Sequence, residues 1–237
     1  MGFINENLQY NKSVIIDTMK KYANDADIVI FGEAFLQGFY GATFEIEHDE
    51  KIAVNLDDFI IKEICSVAKE YKIAVSFGCI EKEDDYFYSS QITIDSSGNI
   101  INVYRRVSPG WKEEFANEQY REGNGFHTFS YMDRKIVVGL CGDFWFDENV
   151  DEVKRLLPDV VFWPVYTDFN YNEWNTSMKY EYAEQAGQIG GNVLYVNSVC
   201  KDKTNDDIAR GGAALFIDGK IRQEIPSGME DVLVVEV

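Results

Sequence analysis

Short apolar segments that alternate between helical and strand periodicity constrain the fold of this chain most strongly. Leu8, Ile15 and Met19 recur at helical spacing, and the apolar run 28–31 that follows has the length of a buried strand. The same alternation continues in a helix at 60–71, strands at 73–80, 86–95, 100–104 and 136–142, a helix at 153–157, a strand at 160–163, a helix at 173–188, a strand at 193–198 and a final hairpin that turns at 218–219. This order predicts an α/β fold in which helices cover sheets.

One domain over residues 1–237 is expected, because no linker, repeat or low-complexity tract divides the chain. The length suits one large core, and the hydrophobic fraction of 46% excludes wholesale disorder. No apolar run approaches the roughly 18 residues of a membrane span, and residues 1–11 lack the basic region of a secretory signal.

Charge and cysteine usage narrow the class of protein further. Lys and Arg number 22 and Asp and Glu 41, so the net charge is −19, which opposes binding to nucleic acid or to an anionic membrane. Four cysteines without a Cys-x-x-Cys pair predict reduced thiols in a cytoplasmic protein. With only two histidines, a histidine-rich zinc site or a Ser-His-Asp triad is hard to build.

Three segments with candidate catalytic residues lie where predicted strands end. The first places Glu33 directly after the apolar run 28–31. The second, 104–114, is dense in charge, and the third carries Cys141 within the strand predicted at 136–142. Taken singly, each also has a plain structural interpretation: a solvated loop acid, an exposed turn with weak surface ion pairs, and a small apolar residue in the core. The residues alone leave these alternatives open.

In order and spacing, the three segments resemble the nitrilase, or carbon–nitrogen hydrolase, superfamily over nearly the whole chain. Glu33 corresponds to the family's strand-Pro-Glu motif, and Arg106 stands at the catalytic lysine of its Tyr-Arg-Lys motif. Glu114 lies eight residues further on, at the place of the second glutamate, and Cys141 lies in Leu-Cys-Gly-Asp, like the nucleophile. Later counterparts of family motifs are Trp163-Pro164, Trp174, the helix around 183–191, Val196-Asn197, Gly211-Gly212-Ala213 and Asp218-Gly219.

The resemblance implies a nitrilase-like four-layer α-β-β-α sandwich, usually in a homodimer or higher homo-oligomer. It also implies hydrolysis of a non-peptide carbon–nitrogen bond through a covalent intermediate, without metal or cofactor. Cys141 is then the expected nucleophile and Glu33 its base, while a cation and the N–H of Gly142 stabilise the oxyanion. Glu114 would hold that cation or orient substrate and water. The side chains of Glu33, Arg106 and Cys141 are expected to converge.

Two features depart from the family pattern. Arg106 replaces the catalytic lysine, and its guanidinium is permanently charged and cannot exchange a proton. Lys112, six residues further on after a Pro-Gly turn, is an alternative cation, and an impaired site is a third interpretation. At the N-terminus, residues 1–5 are too short and polar for the family's first buried strand. Either the start of the chain is misassigned or truncated, or a sheet lacks that strand.

The substrate is the least defined part of the prediction. Tyr166 and Trp174 belong to a set of aromatic residues near the expected pocket, although aromatic residues also dominate protein cores. A small amide, an ω-amide of a dicarboxylic acid and an N-carbamoyl amine all fit hydrolysis through a thioester acyl-enzyme. The alternative function is a catalytically impaired nitrilase-fold protein that acts as a small-molecule binding or interaction module.

Overall fold

The backbone of the computed structural model, which describes residues 1–202 and 208–237, divides into two compact units. One unit comprises residues 3–124, and the other comprises residues 1–2 together with 125–237. Each unit contains its own sheet and its own helices. The α/β class predicted from the sequence is therefore confirmed.

The first unit is organised around a four-stranded sheet. The elements of this part of the chain are β1 (Gly2–Phe3), α1 (Leu8–Tyr22), β2 (Ile28–Ile30), a 3₁₀ turn (Phe39–Gly41), α2 (Ile46–Asp49), α3 (Phe59–Tyr71), β3 (Ala74–Glu83), β4 (Tyr86–Ile94) and β5 (Ile100–Arg105). The strands of the sheet lie in the order β2-β3-β4-β5. β2 is parallel to β3, and the remaining neighbours are antiparallel.

In the two long helices of this unit, apolar residues recur at helical spacing and are buried on one face. Ile15 and Met19 of α1 are fully buried, and the side chain of Asn7 accepts a hydrogen bond from a backbone N–H of the first turn. α3 buries Ile61 and Ile64 on its inner face and packs against α1. Among the described residues of the whole chain, no helix combines the length and apolarity that a membrane span requires.

The second unit contains a larger sheet with parallel central strands. Its elements are β6 (Thr128–Tyr131), β7 (Arg134–Val138), a 3₁₀ turn (Cys141–Trp145), α4 (Asp147–Leu156), β8 (Val160–Val165), α5 (Tyr171–Glu173), a π-helical turn (Trp174–Met178), α6 (Lys179–Ile189), β9 (Asn192–Asn197), β10 (Val199–Cys200), β11 (Ala213–Ile217) and β12 (Lys220–Ile225). Strand order is β12-β11-β9-β8-β7-β6 in the described residues. β7, β8 and β9 run parallel through helical crossovers, so their carboxyl ends share one edge.

The sequence-based boundaries need correction around β7. The strand predicted at 136–142 ends at Val138, and Cys141 instead begins a 3₁₀ turn. The sequence analysis also missed β6, which pairs with β7 through a turn at 132–133, where both residues have left-handed φ values of 50° and 58°. β6 has only four residues, which are too few for an alternation of exposed and buried side chains to stand out in the sequence.

The first strand in the described part of the chain, β1, is short. β1 has two residues and pairs with β10, where the Val199 N–H donates to the Met1 carbonyl oxygen over 3.0 Å. Among the described residues, β1 joins neither of the two larger sheets. This agrees with the expectation that residues 1–5 cannot supply a long buried strand.

Candidate active site

Glu33 is carried across strand β3 by the segment 31–36. Backbone N–H groups at the two ends of this segment donate to carbonyl oxygens of β3 over 2.8 and 3.0 Å. Gly78 permits this close approach, because a Cβ atom there would lie 2.3 Å from the backbone nitrogen of Ala34. The glutamate therefore lies over the sheet with only 1% of its surface exposed.

A buried ion pair joins Glu33 to Arg106. Arg106 Nη1 lies 2.9 Å from Glu33 Oε1, and Ser89 Oγ donates to the same oxygen over 3.1 Å. Glu33 Oε2, by contrast, has no hydrogen-bond partner among the described residues. Because an unpaired buried carboxylate is costly, the contact with the guanidinium stabilises Glu33 in this buried position. The second oxygen retains its capacity to accept a proton.

The guanidinium of Arg106 is anchored through three different nitrogens. Besides the contact with Glu33, Nε donates to Ser108 Oγ over 3.0 Å and Nη2 donates to the Pro109 carbonyl oxygen over 3.2 Å. A lysine ammonium is a single point charge without an equivalent of Nε. Ser108 and Pro109 therefore form surroundings that suit an arginine at this position.

The neighbouring residue, Arg105, forms a second and different ion pair. Its Nε and Nη2 bind both carboxylate oxygens of Glu81 at 2.9 and 2.6 Å, and Ser90 Oγ donates to Glu81 Oε2 over 2.5 Å. Hydrogen bonding to Glu81 raises the pKa of the Arg105 guanidinium. Both oxygens of Glu81 are occupied, so this pair is satisfied without any further group, which favours a structural role.

Lys112 and Glu114 lie in the long loop that follows β5 and Arg106. The Lys112 ammonium donates to a backbone carbonyl over 2.7 Å and lies 2.8 Å from a Glu122 carboxylate oxygen. Glu114 is exposed and forms no hydrogen bond or ion pair with any residue in 1–202 or 208–237. The structure thus brings Arg106 rather than Lys112 to Glu33.

Cys141 begins the 3₁₀ turn, separated from the end of β7 by two residues, with a φ of 43° that non-glycine residues rarely adopt. Trp163 Nε1 donates to the Cys141 carbonyl oxygen over 2.9 Å, and Cys141 Sγ donates to the Tyr166 carbonyl oxygen over 3.4 Å. Asp143 Oδ2 accepts from the Leu140 N–H over 2.7 Å. These bonds stabilise a turn whose first residue has a rarely populated backbone conformation.

Removing the Asp143 carboxylate is expected to destabilise this turn. In Asp143→Ala the buried N–H of Leu140 loses a charged acceptor, so the free energy of unfolding should fall by about 1.5–3 kcal/mol. Asp151→Ala, on the exposed face of α4, is the matched control and should change it by less than about 0.5 kcal/mol. Urea unfolding followed by circular dichroism measures both. Equal midpoints for the two variants would show that the carboxylate does not hold the turn.

The three predicted substrate-binding residues have different surroundings. Gly142 is the second residue of the 3₁₀ turn, directly after the cysteine. Tyr166 follows β8, contacts the cysteine sulfur through its carbonyl oxygen and accepts the Ala209 N–H at its hydroxyl over 3.3 Å. Trp174 is 3% exposed and stacks on Tyr195 with ring centroids 4.7 Å apart. Trp174 is thus buried beside another aromatic side chain of its unit.

Two other cysteines and the possible metal ligands are less suited to catalysis. Burial raises the pKa of the Cys79 thiol in β3 and, less strongly, that of the Cys65 thiol in α3. Both thiols therefore resist ionisation near neutral pH. Within residues 1–202 and 208–237, no group of three or more His, Cys, Asp and Glu side chains is arranged to hold a metal ion.

Comparison with known proteins identifies the family. The family model of carbon–nitrogen hydrolases matches residues 4–237. The chain belongs to the carbon–nitrogen hydrolase family. The resemblance to the nitrilase superfamily seen in the sequence is confirmed, and the match spans both structural units.

Relatives of this chain include amidases. The chain is 25% identical over 164 residues to N-carbamoylputrescine amidase of Oryza sativa subsp. japonica, a match that covers 67% of this chain and 52% of the relative. It is 21% identical over 224 residues to an (R)-stereoselective amidase of Pseudomonas sp, covering 94% of this chain and 77% of that protein. The matches to the N-carbamoylputrescine amidases of rice, Arabidopsis thaliana and Solanum tuberosum span about half the length of those proteins.

Solved structures share the fold. Glutamine-dependent NAD+ synthetase from Acinetobacter baumannii matches with a TM-score of 0.78 and 24% identity, covering 97% of this chain and 43% of that one. An amidase of the nitrilase superfamily from Nesterenkonia matches with a TM-score of 0.74 and 16% identity, covering 95% of this chain and 84% of the amidase. At these identities the likeness shows the nitrilase-like fold.

Proposed function

We propose that this chain is a cysteine-dependent hydrolase of a small amide, ω-amide or N-carbamoyl compound, which acts through a thioester acyl-enzyme. Cys141 is the nucleophile, Glu33 the general base and Arg106 the cation, and residues 1–237 act as one hydrolase domain. The observation that carries this proposal is the Glu33 carboxylate, which is buried, balanced by Arg106 and left with one oxygen unpartnered among the described residues. Such an oxygen is suited to receive a proton.

The first half of the proposed reaction forms the thioester. Cys141 Sγ attacks the substrate carbonyl carbon, its proton passes to Glu33 Oε2, and the carbonyl π electrons move to the oxygen. A base is needed because a thiol with an ordinary pKa of about 8.5 is only a few per cent thiolate at pH 7. Arg106 and the Gly142 N–H stabilise the oxyanion. When the carbon–nitrogen bond breaks, Glu33 returns the proton to the leaving nitrogen, and ammonia or an amine departs.

The second half hydrolyses the thioester. Glu33 takes a proton from a water molecule as the water oxygen attacks the acyl carbon, and the oxyanion forms again. The carbon–sulfur bond then breaks, the thiolate of Cys141 recovers a proton from Glu33, and the acid product leaves. The same carboxylate therefore serves as base in both halves and as acid when each leaving group departs.

Further parts of the proposal concern binding and assembly. Tyr166 and Trp174 contact the substrate, Glu114 orients substrate or water, and Lys112 is the alternative cation. The names of the plant relatives favour an N-carbamoyl amine, and the net charge of −19 suits a substrate with a cationic amine. We also propose a homodimer or larger homo-oligomer in the cytoplasm, where reducing conditions keep the cysteines as thiols.

Mass spectrometry of the digested protein tests the reaction type and the substrate class together. The protein is incubated with small amides, N-carbamoyl amines and nitriles, quenched in acid and digested. A productive compound is expected to add the mass of its acyl group to the peptide that carries Cys141, because deacylation stops on quenching. A panel that yields neither an adduct nor a hydrolysed product would contradict the proposal and favour a small-molecule binding protein.

A further inference from the structure

Ser89 of β4 contacts both members of the buried ion pair. Its hydroxyl donates to Glu33 Oε1 over 3.1 Å, and its carbonyl oxygen accepts the Arg106 N–H over 2.9 Å. Ser89 is only 2% exposed, so bulk water does not compete for these bonds. The proposed reaction gives this serine no bond to make or break, yet it touches the group that moves the proton.

The hydrogen bonds distinguish the two oxygens of Glu33. Oε1 accepts from Ser89 and from Arg106, whereas Oε2 accepts from none of the described residues. Two donors on one oxygen oppose rotation of the carboxylate out of its plane, because rotation would break both hydrogen bonds. Oε2 is therefore held in one direction, which proton transfer to a fixed acceptor requires.

Ser90, the next residue, provides an internal comparison. It donates to Glu81, but Arg105 binds both oxygens of that carboxylate and fixes its plane by itself. Arg106 reaches only one oxygen of its own carboxylate. Arg105 thus restrains Glu81 through two hydrogen bonds of its own. Glu33 receives one hydrogen bond from Arg106 and a further one from the Ser89 hydroxyl.

We propose that Ser89 is a positioning residue for Glu33, and that its hydroxyl holds the carboxylate so that Oε2 receives the proton of Cys141. This inference rests on the proposed function, because it assumes that Glu33 is the base. Loss of the hydroxyl leaves the ion pair and the substrate contacts in place but loosens the proton acceptor. The effect should therefore fall on kcat and on the reactivity of the Cys141 thiol, and not on KM.

Three variants of the 237-residue chain test this role. Ser89→Ala removes the hydroxyl, Ser89→Thr retains it, and Ser90→Ala is the matched control on the same strand. Each is assayed for kcat and KM on the compound found by mass spectrometry, for the rate of Cys141 alkylation by iodoacetamide at pH 7, and for its urea midpoint. Ser89→Ala is expected to lower kcat by about 10- to 100-fold and to slow alkylation, with KM unchanged. Ser89→Thr should recover most of the loss, and Ser90→Ala should keep wild-type kcat.

The inference is overturned if Ser89→Ala keeps wild-type kcat and alkylation rate, or if Ser89→Thr or Ser90→Ala loses as much kcat as Ser89→Ala. Glu33→Gln distinguishes this failure from failure of the proposed function. An inactive Glu33→Gln beside a fully active Ser89→Ala refutes only the role of Ser89. A fully active Glu33→Gln refutes the base itself, and the role of Ser89 with it. If the wild type hydrolyses no compound, the alkylation rates alone decide the role of Ser89.

Discussion

Replacing Cys141 by alanine is expected to lower kcat roughly 10⁴- to 10⁶-fold, because the proposed reaction has no other atom that can form the thioester. The fold should survive the change. The side chain is half-buried, and its sulfur donates a weak hydrogen bond of 3.4 Å to the Tyr166 carbonyl oxygen. The free energy of unfolding should therefore change by less than about 1 kcal/mol. Product release measures the first effect, and urea unfolding the second.

Cys79→Ala is the matched control for this experiment. Cys79 is a fully buried thiol in β3, and burial, together with the charge of Glu81, raises its pKa. It should keep wild-type kcat and lose about 0.5–1.5 kcal/mol of stability, as expected for a small buried group. Because its thiolate is suppressed, iodoacetamide should modify Cys141 first. Turnover that persists in Cys141→Ala would contradict the covalent mechanism.

The parts of the fold that the sequence predicted are those in which burial follows a simple period. α1 and α3 present apolar residues every three to four positions, and β11 and β12 meet at the predicted Asp218-Gly219 turn. β6 is too short for such a signal, because its four residues include a single buried one, Phe129. The strained turn at Cys141 also escaped prediction, because the apolar run continues past Val138 and does not show that the strand ends four residues before the predicted end at 142.

The register of the β4–β5 hairpin decides which arginine reaches the glutamate, and periodicity does not reveal it. A bulge after the first pair of the ladder shifts the pairing by one residue, so that Arg105 lies opposite Ser90 rather than Ser89. A shift of one residue in the pairing moves each side chain of the strand to the opposite face of the sheet. Here the shift places Arg106 on the face where Glu33 lies. Counting outward from the turn would have selected the wrong arginine, whereas the family motif pointed to Arg106.

The contacts of the loop residues could not be predicted for a different reason. Lys112 follows a Pro-Gly turn, so the direction of its side chain depends on the path of the loop and not on any period. Its partner, Glu122, lies ten residues further along, in a segment with no regular structure. Ser89 was missed because a serine within a strand carries no signal until the group opposite it is known.

Arg106→Ala is expected to reduce both activity and stability. Removing the guanidinium leaves Glu33 with an uncompensated charge at 1% exposure, a change that typically costs about 3–5 kcal/mol. It also removes an oxyanion donor, which should lower kcat by about 10²- to 10³-fold. The double variant with Glu33→Gln should recover much of the stability, because a neutral amide replaces the unpaired carboxylate, but none of the activity. Urea unfolding and kcat of the two variants measure these effects.

Two further variants separate the charge of this cation from its geometry. The family resemblance alone predicts that Arg106→Lys keeps or raises activity. The structure predicts that kcat and the free energy of unfolding of Arg106→Lys lie between those of the wild type and those of Arg106→Ala. Lysine keeps the charge but has no Nε to donate to Ser108. Lys112→Ala is the matched control: it breaks a partly exposed pair with Glu122, should cost less than about 1 kcal/mol and should keep wild-type kcat. If Lys112→Ala were inactive and Arg106→Ala active, Lys112 would be the catalytic cation, and the Glu33–Arg106 pair would be structural.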